Sequence, residues 1–245
     1  MNFSLNQQQI LRVVVILIFL GCLWYLASNG QLDLGSIVAE PTEPPPTEEP
    51  SIAGKEGDFD FYVLALSWSP EYCNSNNDPQ QCSIGRRLGF VLHGLWPQYN
   101  RGYPSDCSNA QLPSSVRAEY VGIFPSPSLI THEWSKHGTC SGLAPADYLG
   151  LSKRIKDSVI IPTAYRAPEQ PIRTTSSKLV SDFVAANQGT QTDTFTTFCT
   201  GSGRYLQELR VCFSKDGKPI ACSTEILRNS SRSCQAADFL IRNVR

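Results

Sequence analysis

Eight cysteines downstream of a proline-rich stretch constrain the fold of this chain more than any other sequence feature. They are Cys73, Cys82, Cys107, Cys140, Cys199, Cys212, Cys222 and Cys234. An even set of cysteines in a domain of this size predicts four disulfides and an oxidising compartment. A zinc site is disfavoured because no two cysteines form a C-x-x-C pair. Spacing alone leaves the pairing open, although Cys212 and Cys222 flank the turn-like residues 215–218 and would face each other across a hairpin.

A signal peptide or an N-terminal membrane anchor is predicted over residues 1–28. Residues 13–27 form an apolar run that contains the ninth cysteine, Cys22. This run is short for a full membrane span, which needs about 20 residues, and no clear cleavage site follows it. Export to the periplasm or the extracellular space is therefore expected, with a membrane tether if the segment is retained. Cleavage, lipidation and retention of the segment all stay open.

Residues 29–57 are predicted to form a disordered linker. Within them, EPTEPPPTEEPS at 40–51 is rich in proline, glutamate and threonine and offers almost nothing to bury. The folded domain is expected over residues 58–245, where 19 lysines and arginines stand against 16 aspartates and glutamates. A mildly positive domain is compatible with a polyanionic substrate, but ordinary surface charge explains the excess equally well.

Hydrophobic periodicity predicts strands and helices that do not alternate regularly. Strands are expected over residues 59–68, 88–96, 194–200 and 205–214. Helices are expected over residues 114–124, 128–138, 145–160 and 176–187. Ser114 and Ser128 are candidate N-caps, and Gly138 is a candidate helix stop. This irregular order favours an α+β fold over a doubly wound parallel sheet.

The segment HEWSKH, residues 132–137, places several reactive groups on one predicted helix. Glu133 and His137 are four residues apart and share a face, while His132 and Lys136 share an adjacent face. The zinc-protease motif H-E-x-x-H is broken because Lys136 occupies the position of its second histidine, and the lysine ammonium repels a divalent cation. Neither a metal nor another cofactor is therefore expected.

Two imidazoles, a carboxylate and an ammonium form a set suited to phosphodiester chemistry. Imidazoles with pKa values near 6.5 can act as acid and base in one reaction. Lys136 and a protonated His132 would bind an anion, and Glu133 would orient a neighbouring imidazole. Without a metal the nucleophile must come from the substrate, and RNA carries one in its 2′-hydroxyl. A metal-independent endoribonuclease that cleaves single-stranded RNA, and not DNA, is therefore expected.

The third histidine, His93, lies in LHGLWP at the predicted end of a strand. Gly94 permits close approach of another group to the backbone, and Trp96 offers a ring on which a base could stack. In the alternative interpretation, Trp96 belongs to the core and His93 is a satisfied core histidine. The residues alone do not decide between the two interpretations.

The segments FVLHGLWPQY and LITHEWSKHGTC closely resemble the two active-site segments of the ribonuclease T2 family. FYVLALSWSPEYC resembles the first core strand of that family in its bacterial form. The resemblance runs from about Phe59 to Cys234. It implies an α+β fold with helices packed around a central antiparallel sheet. It also implies RNA cleavage in two steps, first to a 2′,3′-cyclic phosphate and then by hydrolysis of that product.

The resemblance assigns a role to each reactive side chain. His93 corresponds to the general acid that protonates the leaving 5′-oxygen, and His137 to the general base on the 2′-hydroxyl. His132, Glu133 and Lys136 correspond to the residues that hold the phosphate and stabilise the transition state.

The resemblance says less about the RNA bases. Trp96 corresponds to a base-stacking residue, and Gln98 stands where some members carry a base-reading aspartate. Gln98 and Tyr99 are therefore candidate substrate-binding residues, but no base preference follows from them. Tyr99 and Tyr103 form a second stacking face or, equally, partly buried surface.

The cysteine pattern of the family implies a complete pairing of the eight cysteines. The implied disulfides are Cys73–Cys82, Cys107–Cys140, Cys199–Cys234 and Cys212–Cys222. A monomer is expected.

A catalytically silent secreted relative, acting as a binding or signalling protein, is the main alternative to an active enzyme. It is disfavoured because all three histidines, Glu133 and Lys136 are present. A toxin or defence effector with the same nuclease activity stays open. Asn229-Ser230-Ser231 is a glycosylation sequon, which matters only in a eukaryotic secretory pathway.

Overall fold

The computed structural model describes residues 51–245, and everything below refers to that part of the chain. The predicted signal or anchor segment, residues 1–28, and most of the predicted linker lie outside it. Within the described part, no helix is both long enough and apolar enough to cross a membrane.

The described residues form eight strands and seven α-helices. The strands are β1 (Ser51–Ala53), β2 (Phe61–Trp68), β3 (Phe90–Gln98), β4 (Tyr103–Ser105), β5 (Ile172–Thr174), β6 (Phe195–Thr200), β7 (Tyr205–Phe213) and β8 (Phe239–Ile241). The helices are α1 (Ser69–Ser75), α2 (Pro79–Cys82), α3 (Ser114–Tyr120), α4 (Pro127–Lys136), α5 (Pro145–Ser158), α6 (Ser176–Ala186) and α7 (Thr224–Ser233).

Six of the strands form one sheet, in the order β3-β2-β7-β8-β5, with β6 paired to β7. The β2–β3, β2–β7, β6–β7 and β5–β8 pairs are antiparallel. A parallel contact joins β7 to β8 at Tyr205 and Leu240. The predicted α+β class is therefore confirmed, with a sheet that is antiparallel apart from this one contact.

Strand β2 is buried on both faces of the sheet. Tyr62, Leu64 and Leu66 enter a large core that includes apolar side chains of helices α4, α5 and α6. Phe61 and Val63 enter a smaller cluster on the other face, which includes a side chain of helix α7. A strand covered on both faces needs a nearly continuous apolar run, and this explains the sequence FYVLAL.

A β-bulge in the edge strand β3 determines where His93 points. Ala65 of β2 pairs with Gly94 and Leu66 pairs with Leu92, so His93 is the extra, unpaired residue. The bulge lets Leu92 and Leu95, three residues apart, enter the same large core. His93 therefore lies within β3, whereas the sequence placed it at the end of the strand.

The helix that carries His132 and Lys136 is shorter than predicted. Helix α4 has Pro127 at its first turn and Ser126 as its N-cap, so Ser128 lies inside the helix. The helix ends at Lys136, and His137 is its C-cap residue. A 3-10 turn at Gly138–Cys140 follows. The predicted helix 128–138 is therefore too long at its C-terminal end, and the predicted cap is two residues late.

Other predicted boundaries also shift. The helix predicted over 114–124 is α3 followed by a 3-10 turn at Val121–Ile123, and Pro113, not Ser114, is its N-cap residue. The hairpin predicted after β7 is reduced to a single bridge between Phe213 and Pro219. Strand β1 lies in the stretch predicted as linker and pairs with β4 in parallel, so regular structure begins before Asp58.

The four disulfides pair as the family resemblance implies. They are Cys73–Cys82, Cys107–Cys140, Cys199–Cys234 and Cys212–Cys222. The Cys107–Cys140 bond holds the 3-10 turn that follows His137. The backbone N–H of Asp106 also donates to the carbonyl of Lys136 at 2.9 Å. A covalent bond and a hydrogen bond therefore fix the end of α4.

Replacing both Cys107 and Cys140 with serine is expected to lower the free energy of unfolding by about 4 kcal/mol. The 33-residue separation of the two cysteines sets this value in the chain-entropy model. Amide hydrogen exchange at His137 and Gly138 is expected to accelerate. The matched control is the Cys73→Ser/Cys82→Ser variant, which opens a 9-residue loop and should cost about 3 kcal/mol without affecting those amides. Unchanged exchange at His137 in the first variant would contradict this account.

Candidate active site

The imidazole of His93 lies between two buried carboxylates. Its Nδ1 lies 2.8 Å from Oε1 of Glu208, and its Nε2 lies 3.7 Å from Oε1 of Glu133. The His93 side chain is 37% exposed, whereas those of Glu133 and Glu208 are 1% and 6% exposed. The partly exposed ring is therefore accessible to a ligand, while Glu208 is hydrogen-bonded to Nδ1 and Glu133 lies beyond hydrogen-bond distance of Nε2.

Glu208 was not among the predicted site residues. It lies on β7 and accepts hydrogen bonds from Ser67 Oγ at 3.1 Å and from Arg210 Nε at 2.7 Å. A usable signal exists in the sequence, because Glu208 and Arg210 alternate with apolar residues on the same face as Cys212. A charged pair on a face that also carries a disulfide cysteine indicates a buried ion pair more than solvated surface.

A hydrogen bond between strand β3 and helix α4 joins the two predicted segments. The indole Nε1 of Trp96 donates to Oε2 of Glu133 at 2.8 Å. Gly94 lies against this pair, and a Cβ added at Gly94 would lie 1.9 Å from Glu133 Oε2 and 2.3 Å from Trp96 Nε1. Only glycine leaves room for this hydrogen bond.

Trp96 also contacts His93 and His137, the two inner histidines of the site. Its ring centroid lies 5.0 Å from that of His93, edge to face, and 5.2 Å from that of His137 in a stacked arrangement. The guanidinium of Arg210 lies 5.0 Å from the Trp96 ring. Trp96 is only 9% exposed, so protein groups cover most of the surface that the sequence assigned to base stacking.

His137 is buried at the end of α4. It is 5% exposed, and its Nδ1 makes no hydrogen bond to any group within residues 51–245. The Tyr103 ring lies 5.8 Å from the His137 ring, and the Lys136 ammonium lies 5.9 Å from the Tyr103 ring centroid. Tyr103 therefore belongs to the site as a packing residue.

The other predicted site residues differ in how far they are exposed to solvent. His132 is exposed and Lys136 is partly exposed, which suits residues that meet a ligand from solvent. Gln98 is 2% exposed and lies at the end of β3, so its side chain is not presented to solvent. Tyr99 is partly buried and packs against the large core. A packing role for Tyr99 is therefore favoured over a stacking role.

The two inner histidines experience opposite electrostatic environments. Burial opposes the charged form of His93, but the hydrogen bond and charge of Glu208, together with Glu133, outweigh it and raise the pKa of His93. Burial, reinforced by the positive charge of Lys136, holds the pKa of His137 well below its ordinary value. The pKa of the more open His132 is lowered by burial and by Lys136.

The two carboxylates also differ. Burial raises the pKa of Glu133 to about 7, although His93 and the Trp96 hydrogen bond partly offset it. Burial would likewise raise the pKa of Glu208, but the charge of Arg210 and the hydrogen bond from His93 bring it to about 2. Glu208 is therefore ionised throughout the physiological range, whereas Glu133 gains its proton near neutrality.

No cluster of three or more histidine, cysteine, aspartate or glutamate side chains within residues 51–245 has the arrangement of a metal site. The carboxylates next to His93 are instead occupied by hydrogen bonds from Trp96, Ser67 and Arg210. What the group offers is a proton donor, a proton acceptor and nearby positive charge.

Comparison with known proteins gives concordant results. The model of the ribonuclease T2 family matches residues 59–222. A ribonuclease from Aeromonas hydrophila is 40% identical over 207 residues, which cover 78% of this chain and 89% of that protein.

Solved structures with similar folds include ribonuclease MC1 from the seeds of bitter gourd. A variant of it in complex with 5′-UMP has a TM-score of 0.57 and 22% identity, covering 74% of this chain and 97% of that one. The RNase-related protein from Calystegia sepium has a TM-score of 0.59 and 19% identity, covering 78% and 98%. These two show the shared fold, and the sequence matches show kinship. The chain therefore belongs to the ribonuclease T2 family, and the prediction of an endoribonuclease is confirmed at that level.

Proposed function

We propose that this protein cleaves single-stranded RNA without a metal, first to a 2′,3′-cyclic phosphate and then by hydrolysis of that product. The observation that carries the proposal is the opposite electrostatic setting of two imidazoles that contact the same tryptophan. One, His93, is stabilised in its charged form and the other, His137, in its neutral form. Such a pair supplies an acid and a base at the same pH.

His137 is the general base in this proposal. A neutral imidazole has a free lone pair, and the low pKa of His137 keeps it neutral even in mildly acidic solution. It removes the proton from the 2′-hydroxyl, whose oxygen then attacks the adjacent phosphorus. The P–O5′ bond breaks as the new P–O2′ bond forms, which yields the cyclic phosphate.

His93 is the general acid. Its raised pKa favours the protonated imidazole, and its side chain is 37% exposed, which leaves the ring accessible to substrate. It donates its proton to the leaving 5′-oxygen. In the second step the roles reverse. Neutral His93 accepts a proton from water as the water oxygen attacks the phosphorus, and protonated His137 returns a proton to the 2′-oxygen as the P–O2′ bond breaks.

Three further residues stabilise charge on the phosphate. The ammonium of Lys136 and, at acidic pH, the imidazolium of His132 attract the phosphate oxygens. Because the pKa of His132 is lowered, its imidazolium forms at a lower pH than an ordinary histidine's, and its contribution grows as pH falls. Glu133, with a pKa of about 7, is protonated in mildly acidic solution and can then donate a hydrogen bond to a phosphate oxygen. A mildly acidic optimum follows.

RNA is the favoured substrate because none of the side chains described in this site is placed as a nucleophile, so the 2′-hydroxyl must serve. The nucleotide bound to the similar fold of ribonuclease MC1 is in keeping with this. His137 and Arg210 lie against the Trp96 ring, and the Gln98 side chain is buried at the end of β3, so no base preference is proposed.

The cellular location and the oligomeric state of the enzyme are proposed from the sequence. Four disulfides support export to an oxidising compartment. We propose that the enzyme acts there as a monomer, joined to the membrane by residues 1–28 if these are retained.

The purified full chain is expected to degrade single-stranded RNA in excess EDTA at a rate within about twofold of its rate without EDTA. DNA of the same base sequence is expected to remain intact, because it lacks the 2′-hydroxyl. The measurement is product formation by gel electrophoresis at mildly acidic pH. A loss of RNA cleavage in EDTA that added divalent ions restore would contradict metal independence, and cleavage of DNA would contradict the proposed nucleophile.

Replacing His137 with Phe is expected to lower kcat by about 10²- to 10⁴-fold, the usual contribution of a general base. Phenylalanine keeps an aromatic ring against Trp96 and Tyr103, so the fold should survive, which thermal unfolding would verify. The control is Lys153→Gln, which alters only an exposed ion pair with Asp157 and should retain full activity. A His137→Phe enzyme with wild-type turnover would rule out His137 as the base.

A further inference from the structure

Nδ1 of His93 contacts a carboxylate that lies outside both histidine-bearing segments. Glu208 lies on β7, two strands away from β3 in the sheet, and reaches Nδ1 of His93 across β2. The β-bulge at His93 is what turns the imidazole toward it. The contact is therefore made by the topology of the sheet and not by any local motif.

We propose that Glu208, held by Arg210 and Ser67, is a positioning residue that orients His93 and maintains its positive charge for proton donation. This inference rests on the proposed role of His93 as the general acid. Glu208 itself touches no reacting atom.

The hydrogen bonds of Glu208 fix its carboxylate. Oε1 lies within hydrogen-bond distance of both His93 Nδ1, at 2.8 Å, and Ser67 Oγ, at 3.1 Å. Oε2 accepts from Arg210 Nε at 2.7 Å. With both oxygens engaged, the carboxylate cannot rotate away from His93. A carboxylate is an acceptor only, so Nδ1 of His93 must carry a hydrogen, and Nε2 becomes the nitrogen that exchanges its proton with the substrate.

The charges around His93 come from two sides of the ring. Strand β7 contributes Glu208 and, beyond it, Arg210. Helix α4 contributes Glu133 on the opposite side, and the titratable His132 lies close enough to feel the charge of His93. His137, which follows α4, is also coupled to His93. Of these groups, only the two carboxylates favour the protonated imidazole.

The two carboxylates are not equivalent supports for this charge. Glu133 has a pKa of about 7, so its negative charge is lost over the mildly acidic range in which the enzyme is expected to work. Glu208 has a pKa of about 2 and keeps its charge throughout that range. The permanent counter-charge of His93 is therefore Glu208, and Arg210 is what allows a fully buried carboxylate to remain ionised.

This arrangement also serves the second step of the reaction. After His93 gives its Nε2 proton to the 5′-oxygen, the neutral ring still donates Nδ1–H to Glu208, so its orientation is retained. Nε2 then holds a lone pair directed at the site, ready to accept a proton from the attacking water. A hydrogen bond that holds one tautomer in both charge states is how the carboxylate partner of a catalytic histidine acts in general.

The test is a titration of the three histidines by NMR in the full chain labelled with ¹³C-histidine, with His93 assigned through a His93→Gln variant. In Glu208→Gln the pKa of His93 is expected to fall by about one pH unit or more, because burial is then opposed only by Glu133. The alkaline limb of the kcat/KM profile should move down by the same amount. Above the new pKa, kcat/KM should fall about tenfold for each pH unit by which the pKa of His93 has fallen, with a smaller loss at the acidic end.

Two further variants serve as comparisons. Glu208→Asp keeps the charge but withdraws it by one methylene, so its His93 pKa should fall between those of wild type and Glu208→Gln. Glu71→Gln alters another buried carboxylate with an arginine partner, Arg242, outside the site, and should leave the His93 pKa and the alkaline limb unchanged. If Glu208→Gln does not fold, the Asp variant decides alone.

An unchanged His93 pKa in Glu208→Gln, or in Glu208→Asp if only that variant folds, would overturn the proposal. So would a kcat/KM reduced by the same factor at every pH, since that indicates a purely structural role. The NMR titration needs no substrate. A wild-type protein without ribonuclease activity would therefore refute the proposed function and still leave the coupling of Glu208 to His93 to be decided on its own.

Discussion

The hydrogen bond from Trp96 to Glu133 is the contact on which the rest of the site depends. It joins the edge strand of the sheet to helix α4 and thereby brings the two histidine-bearing segments together. The strand supplies His93, and the helix end supplies His137. Gly94 is required beside it, because any side chain there would displace the Glu133 carboxylate or the indole. The Cys107–Cys140 disulfide and the hydrogen bond from the Asp106 N–H then fix the C-terminal end of α4.

The electrostatic surroundings of His93 and His137 give these two chemically identical side chains different roles. His93 and His137 contact the same indole. His93 faces a permanently charged carboxylate, whereas His137 is buried next to a lysine, and its Nδ1 has no hydrogen-bond partner among the described residues. Burial alone would depress both pKa values. Glu208 reverses that effect for His93 only, and this asymmetry, more than the presence of two histidines, makes an acid and a base available together.

Sequence reasoning anticipated the parts of this design that depend on local pattern. The disulfide count, the main strands and helices, and the fold class followed from cysteine number and hydrophobic periodicity, and the family resemblance supplied the disulfide pairing. The chemistry of the HEWSKH segment could be inferred from its side chains, although α4 ends before His137. The resemblance gives Trp96 a base-stacking role, and a single sequence cannot reveal that His137 and Arg210 lie against its ring.

Sequence reasoning failed where long-range register decides the outcome. Glu208 is 115 residues from His93, and only the bulge in β3 and the pairing of β2 with β7 bring them together. A glutamate in an alternating strand normally indicates a solvent-facing side, and only Arg210 and Cys212 on the same face indicate that Glu208 is buried. The resemblance makes Gln98 a candidate substrate-binding residue, and the structure buries its side chain at the end of β3. A single sequence reveals neither the bulge in β3 nor the burial of Gln98.

The central claim is that the substrate supplies the nucleophile and the protein supplies only proton transfer and charge. The most direct measurement is a ³¹P NMR time course with a dinucleoside 3′,5′-phosphate and with its 2′-O-methyl analogue. The account predicts that a 2′,3′-cyclic phosphate accumulates first and then converts to the 3′-monophosphate, and that the 2′-O-methyl analogue remains intact. Cleavage of that analogue, or a monophosphate formed without the cyclic intermediate, would contradict it.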